Sequence, residues 1–201
     1  AYDESVNRLM AKYPAPVISL NNPLAGRKIY DIHSDHRQSA RIATEYLLSM
    51  GHRDIMMICH KKAVGSIGDW GMLERTAAFR ETLGRHALRD DRIAYTDCEP
   101  VENILLRARA DGVTALVVFS ENEMRIPYLL GHVMKVRIPE EMSVIMEDLP
   151  GVLDLGIPPI TAVRQPFERM VAEIMSRLDR ILSGEQVSSK PVVFENELVI
   201  R

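Results

Sequence analysis

Three glycines, Gly65, Gly68 and Gly71, stand in VGSIGDWG, a loop between an apolar run and a helical pattern. That is a context in which backbone N–H groups cradle phosphate. The spacing is GxxGxxG, which is neither the dinucleotide fingerprint nor a Walker A motif with its Lys-Ser/Thr, so it supports a nucleotide enzyme weakly. Four histidines, His33, His36, His52 and His60, invite a metal reading. His33 and His36 fall near the end of a strand pattern, not at i, i+4 on a helix, and no cysteine or carboxylate cluster completes a tetrahedral set. His52 reads as part of a Gly-His-Arg turn. Ser120 sits in FSEN, not GxSxG, so no nucleophile elbow is present. No nucleophile–base pair stands out. The expectation is therefore a protein that is not an enzyme, with no cofactor and no metal.

The polar residues gain meaning from the elements that must carry them. Apolar runs at PVISL (16–20), KIYDIHS, DIMMIC (54–59), RIAYTD, TALVVFS (114–120), IPEEMSVIMED and ITAVR read as strands, and VVFENELVI closes the chain as one more. DIMMIC does not alternate, as expected of a strand covered on both faces. Helical spacing recurs at Val6, Leu9, Met10 and Tyr13, and at Ile42, Ala43, Tyr46, Leu47 and Met50. It returns at Met72, Thr76, Phe79 and Leu83, in ENILLRARADG, before Val133, and in PFERMVAEIMSRLDRILSG. Gly51 suits a left-handed helix C-cap. Repeated strand–helix alternation predicts parallel sheets flanked by helices. Ligands in such sheets lie beyond the carboxyl ends of the strands. That rule points to Asp35, His60 to Gly71, Asp97 to Glu99, Ser120 and Glu121, Glu147 and Asp148, and Arg164 and Gln165. Pro166 fits a first helical turn, with Gln165 as its N-cap.

Composition narrows the function classes. The chain has 201 residues, 46 % hydrophobic and 26 % charged, with a net charge of −3. That balance supplies no cationic field for a nucleic-acid backbone. The two cysteines, Cys59 and Cys98, lack CxxC spacing and fit a reduced, cytoplasmic setting. No apolar run reaches membrane-spanning length, so no membrane partner is expected. The opening AYDESVNRLMAKYPAP lacks a signal-peptide pattern and starts within a helical pattern, as a fragment would.

GHRDIMMI (51–58), IPEEMSVIMEDLP (138–150), PPITAVRQPFERM (158–170) and ELVIR (197–201) resemble four consecutive landmarks of the LacI/GalR family of transcriptional regulators. Their order and spacing match that family's effector-binding domain over essentially the whole chain. The resemblance implies an α/β, two-lobed periplasmic-binding-protein-like fold, with parallel sheets flanked by helices and the first lobe incomplete. Residues 1–50 and 165–190 would form the partial amino-proximal lobe. Residues 51–164 and 191–201 would form the carboxyl-proximal lobe. PPITAVRQP would be one of three crossovers, short and stiff because lobe closure is read through it.

The same resemblance implies the site residues. Arg75, in MLERTAAF, matches the family arginine that hydrogen-bonds effector oxygens, a task suited to a planar five-donor fork. Asp148 matches the aspartate that accepts from sugar hydroxyls or a base, and Gln165 a cleft-lining crossover position. Ser120 and Glu121 stand where the family has Asn-Asp. Asp35 matches the Asp of its VDN segment. Cys98 replaces a frequent aromatic stacker, and Trp70, the single Trp, is placed to take over that role. Pro127 lies inside a helix usually uninterrupted and should kink it unless a new helix begins there.

The resulting expectation is an effector-sensing, homodimerising regulatory domain. Its partners would be a small polar metabolite such as a sugar, and operator DNA through a DNA-binding head absent from this chain. The alternative is a sugar receptor of the same fold without DNA-binding activity. An incomplete first sheet would also leave a strand edge and apolar surface exposed, favouring association.

Overall fold

The computed structural model describes residues 12, 16–21, 29–60, 69–120, 125–148 and 159–201. The expected helix around Val6 to Tyr13, the loop glycines Gly65 and Gly68, and Glu121 lie outside the described residues. Two sheets organise the rest. One has three strands: β1 (Val17–Leu20), β2 (Ile29–Ser34) and β8 (Val192–Phe194), in the order β1-β2-β8 and parallel. The other has six: β3 (Ile55–Cys59), β4 (Ile93–Tyr95), β5 (Ala115–Phe119), β6 (Ser143–Asp148), β7 (Thr161–Arg164) and β9 (Glu197–Val199). Their order is β4-β3-β5-β6-β7-β9, and only β9 runs antiparallel to its neighbour.

The six-stranded sheet is covered on both faces, which explains why β3 and β5 are apolar without alternation and buried throughout. One face packs Met57, Val117 and Ile145 against α1 (His36–Ser49) and α2 (Asp69–Arg85), through Ala43, Leu47, Phe79 and Leu83. The other packs Met56, Leu116 and Val144 against α3 (Val101–Ala110) and the short α4 (Ile126–Tyr128), which continues as a π-helical turn over Leu129–Val133. Pro127 occupies the first turn of α4, so a new helix starts there and no kink is required. At the opposite end of the strands from the crossovers, His52 uses both ring nitrogens. Nδ1 pairs with Thr114 Oγ1 at 2.9 Å and Nε2 with Ser143 Oγ at 2.9 Å, tying the starts of β5 and β6. Helix α1 ends as anticipated, with Gly51 at φ +95°.

The chain passes between the sheets three times: after β2, after β7 and between β8 and β9. Two expected boundaries change. Helix α1 packs on α2 and the six-stranded sheet, so the first crossing falls at Ser34–Asp35 and not after residue 50. A helical stripe demands an apolar partner, and here the larger sheet supplies it. VVFENELVI is also two strands, because its first half pairs with β2 and its second half with β7. Residues 191–201 are therefore shared between the sheets. Helix α5 (Phe167–Leu182) follows β7 and packs toward β2. Its N-cap is Pro166, whose carbonyl accepts from Met170 N at 3.0 Å, so Gln165 lies one residue before the cap. That shift frees the Gln165 side chain for other partners.

Polar bonds lace the crossings together. Asn196 Nδ2 donates to the Asp35 carbonyl at 2.7 Å, and Gln38 Nε2 donates to the Asn196 carbonyl at 2.9 Å. Gln38 Oε1 accepts from Asn196 N at 2.8 Å, and Asp35 N donates to the Phe194 carbonyl at 2.8 Å.

Candidate functional site

Gln165 is where the two sheets meet through side chains. Its Oε1 accepts from Asn21 Nδ2 at 2.8 Å and from Ser34 Oγ at 3.0 Å, both at ends of strands in the small sheet. Its Nε2 donates to Glu147 Oε1, on β6 of the large sheet. The same carboxylate oxygen accepts from Arg75 Nη2. Arg75 projects from the second turn of α2 and is only 6 % exposed. Its Nε reaches Ser39 Oγ at 3.4 Å, and its guanidinium carbon lies 4.7 Å from the Phe119 ring centroid. The buried guanidinium is thus matched by one carboxylate and supported by an aromatic face.

This arrangement unites Arg75 with Gln165, and gives Asp148 a different set of partners. Successive residues of a strand face opposite ways. Glu147 shares the side of β6 that leads to Arg75 and Gln165. Asp148, 3 % exposed, accepts through Oδ2 from Arg164 Nε at 2.7 Å and Arg201 Nη2 at 3.4 Å. Asp148 pairs across the ladder with Arg164, which fixes that parity. The carboxylate joined to both Arg75 and Gln165 is therefore Glu147, while the adjacent Asp148 is joined to Arg164 and Arg201. Glu147 is one of two adjacent strand-end acids; counting parity from Gln165 across the β6–β7 register selects it.

The other expected residues have distinct surroundings. Asp35 caps α1, its Oδ1 accepting from Gln38 N at 2.8 Å. Ser120 is buried just beyond β5, and its hydroxyl has no partner among the described residues. Trp70, half-buried at the start of α2, lies edge-on to two histidines. Its ring is 5.0 Å from His33 and 5.3 Å from His36, at interplanar angles of 78° and 73°.

Those histidines connect the sheets further. His33, on β2, pairs through Nδ1 with Asp31 Oδ2 at 3.0 Å, while Asp31 Oδ1 has no partner among the described residues. His36 opens α1 and is 5 % exposed. A Cβ at Gly71 would come 2.9 Å from His36 Nε2, so the ring's seat requires glycine or a displacement. Burial first, and the Arg75 charge second, push the His36 pKa down to about 3; the Asn21 backbone opposes this, and His33 adds to the lowering. His36 is thus a neutral ring at physiological pH. Residue type alone suggests these histidines only as metal ligands. Among the described residues, no three His, Cys, Asp or Glu group to hold a metal ion. Burial, with a smaller contribution from Asp97, raises the Cys59 thiol to about 12, leaving it protonated at neutral pH.

What this junction can do chemically is exchange hydrogen bonds. Donors and acceptors from both sheets surround one amide and one carboxylate oxygen. Any polar molecule bound there would touch both sheets at once.

Comparison with known proteins gives this geometry a context. The family described as periplasmic binding protein-like domain matches residues 44–201. The HTH-type transcriptional regulator AscG of Escherichia coli is 26 % identical over 204 residues, covering 98 % of this chain and 59 % of AscG. DegA of Bacillus subtilis, also an HTH-type transcriptional regulator, is 25 % identical over 195 residues, covering 94 % and 55 %. The chain thus spans a little over half the length of these curated relatives. Among solved structures, a complex of the transcriptional regulator CelR with cellobiose superposes with a TM-score of 0.83 at 24 % identity, covering 100 % of this chain and 62 % of that one. A LacI family transcriptional regulator from Enterococcus faecium with bound ribose gives 0.81 at 19 % identity, covering 98 % and 74 %. The sheets described above are those of the periplasmic-binding-protein-like fold.

Proposed function

The chain belongs to the periplasmic binding protein-like domain family, in the form carried by LacI-type transcriptional regulators, and from that premise we propose that it senses a small effector. The ligand is a polar metabolite, a sugar first of all, held where the two sheets meet. One observation carries this reading: Gln165 joins Asn21 and Ser34 of one sheet to Glu147 of the other, and Glu147 in turn holds Arg75. A ligand hydroxyl competing for those bonds changes how the sheets are tied.

In the intact regulator that change reaches a DNA-binding head and alters operator affinity. Coupling requires effector and operator to favour different arrangements, by about 1–3 kcal/mol. The regulator acts as a cytoplasmic homodimer, and the residues 17–34 and 165–194 belong to the lobe nearer the DNA. Sugars bound in the CelR and Enterococcus faecium structures support the ligand class.

A thermal-shift screen of the chain against neutral sugars, repeated with Arg75→Ala and Glu147→Ala, tests the site. Sugar-dependent stabilisation in the parent should disappear in both variants. Ligand shifts that persist unchanged in both would move the site elsewhere.

A further inference from the structure

Each face of the β6–β7 ladder ends in a carboxylate. Ile145 and Val163 mark the face turned toward α1 and α2, and Glu147 shares it. Met146 and Ala162 mark the opposite face, which Asp148 and Arg164 share. Asp148 and Arg164 form the last rung of the ladder before the chain crosses to the small sheet. Arg164 brings both Nε and Nη2 to 2.7 Å from Asp148 Oδ2. Arg201 Nη2 reaches the same oxygen at 3.4 Å, while its Nη1 donates to the Ile160 carbonyl at 3.1 Å and its backbone N to Thr161 Oγ1 at 3.2 Å. One buried carboxylate thus joins the end of β6, the end of β7 and the chain just beyond β9.

Gln165 follows that rung directly, past the end of β7. Its amide must meet Asn21 and Ser34 on one side and Glu147 on the other. Hydrogen bonds weaken steeply as their angles worsen, so a modest roll of the strand end would break this set. Contacts on one face alone leave a strand end free to roll about its own axis, and contacts on both faces oppose the roll. Opposite charges directly across a ladder strengthen that pairing. A buried carboxylate keeps its place when hydrogen-bonded cations match its charge.

We infer that Asp148 and Arg164 are positioning residues for the junction: their ion pair fixes the carboxyl end of β7 so that Gln165 reaches both sheets, and Arg201 extends the same hold to β9. They act through Gln165 and need no contact with a ligand. The inference goes beyond the effector-sensing reading and holds whichever molecule the junction receives.

The Ser34 amide reports on this aim. Ser34 N donates to Asn21 Oδ1 at 2.9 Å, and Asn21 in turn donates to Gln165. Native-state hydrogen exchange of the 201-residue chain, with no ligand added, therefore tests the idea. Arg164→Met should speed exchange at Ser34 by about tenfold, the order expected for a lost hydrogen bond to a charged group. Amides of β3 and β5 should keep their protection. Arg164→Lys leaves a cation opposite Asp148 and should recover part of the Ser34 protection. Asp148→Asn should act in the same direction as Arg164→Met; the half-exposed Arg164 keeps the test open if the Asp148 variant does not fold. Combining Arg164→Met with Gln165→Ala should give exchange at Ser34 no faster than Gln165→Ala alone. Unchanged Ser34 exchange in Arg164→Met would overturn the inference, and so would effects of the two substitutions that multiply in the double variant. A failure to bind sugars would count against the sensor reading and leave these exchange rates untouched.

Discussion

The six-stranded and three-stranded sheets are written in similar apolar, β-branched sequence, yet they are held in different ways. Strands β3 and β5 are buried at every position and sandwiched between two apolar clusters. In the smaller sheet burial is confined to the central β2, apart from Ser19 of β1, and β8 has no buried residue. Helix α5 buries only Met170 and Arg177, leaving Val171, Met175 and Leu182 exposed. Both described core clusters are built on the larger sheet. The smaller sheet is attached through hydrogen bonds at Gln165, Asn196 and Asp35. Close-packed interiors resist small displacements, whereas elements with few buried contacts open at low cost. The difference assigns stability to one region and adjustability to the other.

The widest gap between the regions should appear in core truncation. Phe79, fully buried under the large sheet, should cost about 3–5 kcal/mol on replacement by alanine. Val193, 52 % exposed on β8, should cost no more than about 0.5 kcal/mol. Urea unfolding of both variants measures this directly, and equal losses would dissolve the contrast.

Acid should act next, at the boundary. His36 takes up its proton near pH 6.5 when unfolded but only near pH 3 when folded. Between those values the unfolded chain binds more protons, so the His36 contribution is complete above about pH 6.5 and is lost as pH falls toward 3. Between pH 7 and pH 5 that amounts to roughly 2 kcal/mol. His36→Gln should flatten this part of the pH dependence of the urea midpoint; an identical slope would assign it to other groups.

The smallest effect sharpens the picture most. Asn196→Ala removes the side-chain bonds to Asp35 and Gln38, at a cost of about 1–2 kcal/mol. Hydrogen exchange should speed up in β2 and β8 while β3 and β5 stay protected. Uniform acceleration would mean that the two sheets open as one unit.

Much of this architecture is legible in the amino-acid sequence. The unalternating runs at 54–59 and 114–120, Gly51 after an amphipathic stripe and a helix opening near Pro166 follow from local rules, whereas Pro127 is open in the sequence between a kink and a new helix start. The site is half legible. The family resemblance singles out Arg75 and Gln165, and the two meet through a shared partner. That partner is Glu147, where the strand-end rule offers both Glu147 and Asp148 and the resemblance names Asp148; two adjacent acids at a strand end differ in which face they take. Their parity is set by register with β7, a pairing of distant segments. The docking of α1 is hidden for a similar reason. An apolar stripe states that a partner exists and leaves open which sheet provides it. Nothing in VVFENELVI marks the change of partner, since its two halves have the same β preference and differ only in the neighbour they find.

Between Phe194 and Glu197 the backbone has two residues, Glu195 and Asn196, in which to pass from one sheet to the other. Two residues carry four soft torsions. Any swing of the small sheet must be absorbed there within that allowance, in step with the strand exits at Ser34 and Gln165. A stiffer residue at 195 would narrow the arc and a glycine would widen it. That two-residue passage is thus a torsional stop, and its composition sets how far one sheet could turn against the other.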